Sequence, residues 1–136
     1  MKVLLVSADP ALRAHMAVAM RGARRALGGN EPFTALEAAD GAAGIAIAWR
    51  ERPDIVVADE ITSRAGAFAL TRELKGARVP FAGRIVILLD RPQDEWLASW
   101  AGADAWFVKP VDPFALGDTV ASMMAADRAG TSKEAG

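Results

Sequence analysis

Five short apolar runs, each followed by a segment with helical character, place the strongest limit on how this chain can fold. Proline, glycine and charged residues bound the runs, as they bound buried strands, and the runs lie at residues 3–6, 33–38, 55–58, 85–89 and 105–108. Repeated alternation of strand and helix is typical of parallel sheets covered by helices on both faces. The sequence therefore predicts a single α/β domain with a five-stranded parallel sheet.

Capping residues and apolar spacing predict the helices between these runs. Asp9 before Pro10 is a helix start, because the carboxylate can accept from free amides of the first turn and proline suits the first helical position. The helices are predicted at about residues 10–27, 42–52, 66–75, 92–101 and 113–126. Residues 127–136 are small and polar, so we expect a domain over 1–126 and a flexible tail or the start of a linker after it.

Charge and composition exclude several classes of function. With 16 basic and 17 acidic side chains, the chain has no overall attraction to nucleic acid or to a membrane surface. It has no cysteine, and its one histidine, His15, is predicted to lie on a helix surface, so neither thiolate metal sites nor histidine-based nucleophilic catalysis has the residues it needs. The first apolar run is too short for a leader or a membrane span, and we expect a cytoplasmic protein.

Polar residues follow several of the apolar runs. Asp59 and Glu60 end the third run, and Lys109 follows the fifth. The carboxyl ends of parallel strands meet at one edge of an open sheet, which is where such folds place ligands and reacting groups. We therefore expect these side chains to converge with those at the ends of the first and fourth runs, Ser7, Ala8, Asp9, Leu89 and Asp90.

In this order and at nearly this spacing, the segments VLLVSADPALR, ADG, RPDIVVADE, IVILL and AGADAWFVKPVDP resemble the receiver domain of bacterial two-component response regulators, from Lys2 to about Ala126. The resemblance implies a flavodoxin-like, doubly wound fold with strand order 2-1-3-4-5 and five helices. It also implies that Asp59 matches the aspartate that accepts a phosphoryl group in the family. Lys109 matches the lysine that pairs with that phosphoryl group. In the family this lysine is followed by a proline, here Pro110, and the peptide bond between the two is usually cis.

The sequence departs from the family at the residues that carry its chemistry. Ser7 and Ala8 occupy the positions of the acid pair that helps to hold Mg²⁺ in receivers. Leu89 occupies the position of the threonine or serine that hydrogen-bonds the phosphoryl group. Trp106 occupies the aromatic switch position, where tyrosine or phenylalanine is usual. The resemblance thus predicts a receiver fold whose metal site and conformational latch are altered.

These departures favour a degenerate receiver, or pseudo-receiver, that is not an enzyme and needs no cofactor. We expect Asp59 and Lys109 to form a standing ion pair, because one carboxylate facing one lysine is balanced without a metal ion. One alternative is a phosphorylatable receiver in which Asp9, Asp59 and Glu60 supply a non-standard Mg²⁺ site. A further alternative is a sensor of a small ligand bound near Ser7, Ala8 and Leu89.

Tryptophans supply the candidate interaction surface. Trp96 and Trp100 are four residues apart on the predicted fourth helix, and Trp106 lies on the fifth strand. In receivers, that helix, that strand and the last helix form the surface for dimerisation and partner docking, so a protein partner or a second copy is expected there. Core packing is the conservative interpretation of Trp96 and Trp106, whereas Trp100 matches a position that is usually polar and is the better candidate for an interface.

Overall fold

The computed structural model describes residues 1–62 and 64–135, with side chains described as far as Gly130. It contains one five-stranded sheet in the order β2-β1-β3-β4-β5, and all neighbouring strands pair in parallel. The predicted fold class and strand order are therefore confirmed. The strands are β1 Lys2–Val6, β2 Thr34–Ala38, β3 Ile55–Asp59, β4 Arg84–Leu89 and β5 Ala105–Val108.

Four α-helices connect the strands and a fifth follows β5; together they cover both faces of the sheet, close to the predicted positions. The predicted fourth helix begins as a 3-10 turn, Pro92–Asp94, before it becomes α-helical. The α-helices are α1 Pro10–Ala26, α2 Gly41–Glu51, α3 Ala67–Lys75, α4 Glu95–Ala101 and α5 Pro113–Ala135.

Alternating side chains of the strands build two cores. On one face, Leu4, Val56 and Ile87 belong to a cluster with residues of α2, α3 and α4; on the other, Leu5 and Val57 pack with residues of α1 and α5. All five residues of β3 are buried, as expected of a strand covered on both faces. The central position of β3 holds its last residue, Asp59, at the carboxyl edge of the sheet.

The last helix is longer than the sequence predicts. We expected it to end near Ala126, but α5 continues to Ala135. Two ion pairs hold the added turns: Arg84 Nε lies 3.0 Å from Asp127 Oδ2, and Arg128 contacts Glu31. Ala, Arg, Lys and Glu are also good helix formers. The segment expected to be a flexible tail is thus helical over residues 127–135, Gly136 lies outside the described residues, and the division into a domain over 1–126 and a tail remains a prediction.

None of the described helices is both long and apolar enough to cross a membrane.

Candidate functional site

The ends of β1 and β3 and the residue after β5 bring Ser7, Asp59 and Lys109 together at the carboxyl edge of the sheet. Ser7 Oγ donates a hydrogen bond to Asp59 Oδ2 at 2.9 Å, and Lys109 Nζ donates to Asp59 Oδ1. Asp59 is only 6% exposed and Ser7 is fully buried. Both carboxylate oxygens of Asp59 therefore have a partner within the chain.

Lys109 joins two carboxylates. In addition to Asp59, its Nζ donates to Asp90 Oδ1 at 2.7 Å, from the residue that follows β4. Burial disfavours the charged ammonium, but the hydrogen bonds that it donates to Asp59 and Asp90 outweigh this effect, so the pKa of Lys109 is raised above its usual value. Lys109 thus remains a cation in the crevice, and the peptide bond to Pro110 is cis, as the resemblance implies.

Asp9 serves as a helix cap. Its Oδ1 accepts from Ala11 N at 2.9 Å, which satisfies one of the free amides at the start of α1. Its own backbone N–H donates to Ser7 Oγ at 3.0 Å, so the Ser7 hydroxyl accepts from Asp9 while it donates to Asp59. Ala8, between them, is exposed and offers only a methyl group.

Glu60 interacts with the start of the β4 to α4 connection. Its Oε2 accepts from the backbone N–H of Asp90. Burial raises the pKa of Glu60 to about 7, helped by a hydrogen bond with the Asp94 carboxylate, whereas Arg91 and Glu60 lower the pKa of Asp94. The Glu60 carboxyl therefore holds its proton to a higher pH than usual, and Asp94 is the partner that stays ionised. No sequence pattern predicts this pair, because the contact depends on how two loops fold together.

These residues do not fit the magnesium site that the resemblance implies. Mg²⁺ binding usually requires one or two carboxylates with free oxygens. Here Ser7 and Ala8 provide none, and the two oxygens of Asp59 are bonded to Ser7 and Lys109. Among the described residues, no group of three or more histidine, aspartate or glutamate side chains is placed to hold a metal ion.

The two positions linked to conformational switching in the family carry side chains that are packed in the core or held by a hydrogen bond. Leu89 is the first of these, and Trp106 is the second. Leu89, the last residue of β4, is fully buried in the cluster beneath α2, α3 and α4. Trp106 packs partly against the same cluster, and its Nε1–H donates to Glu95 Oε2 of α4 at 3.1 Å. Neither side chain presents a hydroxyl group to the crevice.

The tryptophans of α4 are exposed. Trp96 is 66% and Trp100 is 58% exposed, so the interpretation of Trp96 as a core residue is wrong, because Ala98 and Ala101 provide the buried side of this short helix instead. The Arg72 guanidinium of α3 lies 4.4 Å from the centre of the Trp100 ring. Trp106 is not part of this exposed pair, since it is partly buried and bonded to Glu95 on another side of α4.

His15 lies on the surface of α1, as the sequence predicts, and its Nε2 is 3.2 Å from the carbonyl oxygen of Val111. One histidine bonded to a backbone carbonyl builds neither a metal site nor a nucleophilic system.

Comparison with known proteins gives consistent results, although no protein-family model matches the chain. An uncharacterized response regulatory protein of Mycobacterium tuberculosis is 37% identical over 73 residues, which cover 54% of this chain and 54% of that protein. The matched region thus spans about half the length of that curated relative. Protein PilH of Pseudomonas aeruginosa is 30% identical over 92 residues, 66% of this chain and 76% of PilH.

Among solved structures, the signal receiver domain of a histidine kinase from Syntrophus aciditrophicus superposes with a TM-score of 0.74 at 20% identity, covering 92% of this chain and 90% of that one. At this identity the likeness supports the fold alone.

Proposed function

The chain belongs to the receiver-domain family of response regulators, and on that premise we propose that it is an atypical receiver that signals through protein contacts, without Mg²⁺-dependent phosphorylation of Asp59. In this proposal the protein is a bacterial, cytoplasmic signal transducer and not an enzyme. It requires no resident cofactor.

The observation that carries the proposal is the bonding of the Asp59 carboxylate. One oxygen accepts from Ser7 and the other contacts Lys109, which also contacts Asp90. To react with a phosphoryl donor, an oxygen of Asp59 would have to leave one of these partners. Because Asp59 is 6% exposed, an oxygen that left its partner would also have little access to water as a substitute.

Charge supports the same proposal. Phosphoryl transfer is catalysed mainly by positioning and by neutralising the charge on the transferred group, and a metal ion supplies much of that neutralisation. In this crevice the positive charge comes from Lys109, which already faces Asp59 and Asp90. A phosphoryl group on Asp59 would add negative charge to a cluster with two carboxylates and one cation.

The position of Leu89 weakens the response to phosphorylation as well. A buried leucine at the end of β4 cannot donate a hydrogen bond to a phosphoryl oxygen, so the event that normally draws the following loop inward has no donor at this position. Such a domain can still signal by binding a partner at a surface that does not change with phosphorylation. The exposed tryptophans of α4 supply apolar groups for this binding.

Intact-mass spectrometry after incubation with Mg²⁺ and acetyl phosphate tests the proposal. We expect no added phosphoryl group on the wild-type chain and no difference between wild type and Asp59→Asn. A receiver known to accept phosphate from acetyl phosphate, treated in parallel, shows that the reagent is active. Substantial labelling of the wild type that Asp59→Asn abolishes would support the alternative of a phosphorylatable receiver with a non-standard metal site.

A further inference from the structure

Two indole rings and one guanidinium form an exposed surface between α3 and α4, which we call the tryptophan face: Arg72, Trp96 and Trp100. Trp96 and Trp100 are 66% and 58% exposed although they are among the largest apolar side chains in the protein. Single exposed apolar residues are ordinary, but two aromatic side chains one helical turn apart form a contiguous patch, which is uncommon on a free surface.

The tryptophan face is directed away from β5. Ala98 and Ala101 turn the opposite side of α4 toward the core, and Glu95 bonds Trp106 of β5 along one flank. Trp100 lies along the other flank, where it contacts Arg72 of α3. The face therefore differs from the surface of α4, β5 and α5 that the resemblance suggests for partners.

Arg72 is available for a further interaction. Its guanidinium stacks on the Trp100 ring at 4.4 Å, and no carboxylate among the side chains that the structure describes pairs with it. Stacking occupies a face of a planar guanidinium and leaves the N–H donors around its edge free. Those donors match the two oxygens of a carboxylate, and the indole beside them holds the guanidinium in place.

We propose that the tryptophan face binds a short segment of a partner protein in which an aspartate or glutamate stands next to apolar side chains. The carboxylate binds Arg72, and the apolar side chains cover Trp96 and Trp100. This inference rests on the proposed function, signalling by protein contact, and specifies the chemical class of the partner. It does not depend on the bonding of Asp59, which lies at the end of β3 rather than on this face.

Selection from a random peptide library displayed on phage tests the inference with a defined probe. The immobilised wild-type chain should enrich sequences that combine an acidic residue with neighbouring aromatic or aliphatic residues. For a synthetic peptide of the enriched sequence, Trp100→Ala should weaken binding by about thirtyfold, and Arg72→Gln by about tenfold with a reduced dependence on salt.

Phe114→Ala serves as the matched control, because Phe114 is an aromatic residue 81% exposed at the start of α5. It should change affinity by less than about twofold. Arg72→Gln alters an exposed side chain and Trp100→Ala a mostly exposed one, so circular dichroism should show that both variants remain folded.

Four results would overturn the inference: no enriched family of peptides, enriched peptides without acidic residues, equal loss of binding in Phe114→Ala, or a dimer of the chain alone that Trp100→Ala dissociates. The last result would assign the face to a second copy. The assay contains no phosphodonor, so its failure leaves the Asp59 proposal standing, whereas labelling of Asp59 by acetyl phosphate would count against the proposed function alone.

Discussion

At the scale of single residues, the crevice is defined by what Asp59 is bonded to. The carboxylate is nearly inaccessible, and Ser7 and Lys109 satisfy it from two different strands. Lys109 also neutralises Asp90. Removal of this one cation would leave two carboxylates near each other without a counterion.

Lys109→Met should therefore lower the free energy of unfolding by about 1 to 3 kcal/mol, a range that allows for partial solvent access to the lysine. Asp59→Asn in the Lys109→Met background should recover part of the lost free energy of unfolding, because it removes one of the two carboxylate charges left without a counterion. Urea unfolding of the four members of the double-mutant cycle measures the coupling energy. Additive effects of the two substitutions would show that the contact contributes nothing.

Glu60 provides a pH dependence whose sign follows from its raised pKa. Its pKa in the folded chain is about 7, above the ordinary value of 4.5, so the folded state holds a proton that the unfolded state has released between these pH values. This contribution to stability is complete below pH 4.5 and is lost as the pH rises through about 7. Glu60 is only partly buried, so solvent weakens the effect and we expect the loss to be about 1 kcal/mol.

Glu60→Gln should remove this pH-dependent loss, because glutamine does not titrate. Between pH 4.5 and pH 8 the wild type should lose unfolding free energy relative to the variant. Urea unfolding at a series of pH values measures it. An unchanged difference across that range would contradict the raised pKa of Glu60 in the folded chain.

At the scale of elements, the strands and most helices follow from the sequence, because their apolar periodicity reflects local burial. The β1, β3 and β5 segments were predicted within one residue, and the Asp9 cap of α1 was predicted from its position before Pro10. The end of α5 was not predicted, since the ion pairs that hold it join residues 43 and 97 positions apart in the chain. Such pairs leave no periodic signal.

Asp127→Ala should loosen the last turns of α5 by breaking the ion pair with Arg84. We expect faster amide hydrogen exchange after Ala126 and a loss of stability of about 1 kcal/mol or less, as is usual for a partly exposed pair. Asp118→Ala, an exposed aspartate on the same helix, is the control. Equal exchange in both variants would show that the Arg84 pair does not hold this segment.

Within the site, the sequence identified the residues better than their partners. Asp59, Lys109 and Ser7 were expected at one sheet edge because parallel strands align their carboxyl ends. Asp90 was also expected at this edge, but its bond to Lys109 and the interaction of Glu60 with Asp94 depend on loop conformation. For Trp96 the sequence left open both core packing and an exposed interaction surface, because a helix of seven residues gives too little periodicity to separate its buried and exposed sides.

At the scale of the whole molecule, the protein is a receiver fold in which Ser7 and Lys109 bond both oxygens of the Asp59 carboxylate. The same sheet edge that would position a metal ion and a phosphoryl group here positions a serine and a lysine against Asp59.

Restoring the two acids at positions 7 and 8 should restore Mg²⁺ binding. In Ser7→Asp/Ala8→Asp, a carboxylate replaces a hydroxyl that lies 2.9 Å from Asp59, so the variant should be less stable than wild type without metal and should be stabilised by Mg²⁺.

Thermal unfolding with and without millimolar Mg²⁺ measures this change, with Ca²⁺ and Na⁺ at equal ionic strength as controls. Wild type should show no Mg²⁺-specific shift of Tm. A variant that is insensitive to Mg²⁺ would mean that residues 7 and 8 do not occupy the positions of the acid pair.

The central claim is that the wild-type crevice holds an ion pair and does not bind Mg²⁺, and a titration with Mg²⁺ followed by NMR tests it most directly. The amide signals of Asp59, Lys109 and Asp9 report on the crevice. We predict that they shift only slightly and without saturation in the wild type, and with saturation in Ser7→Asp/Ala8→Asp. Saturable shifts centred on Asp59 in the wild-type chain would contradict the account.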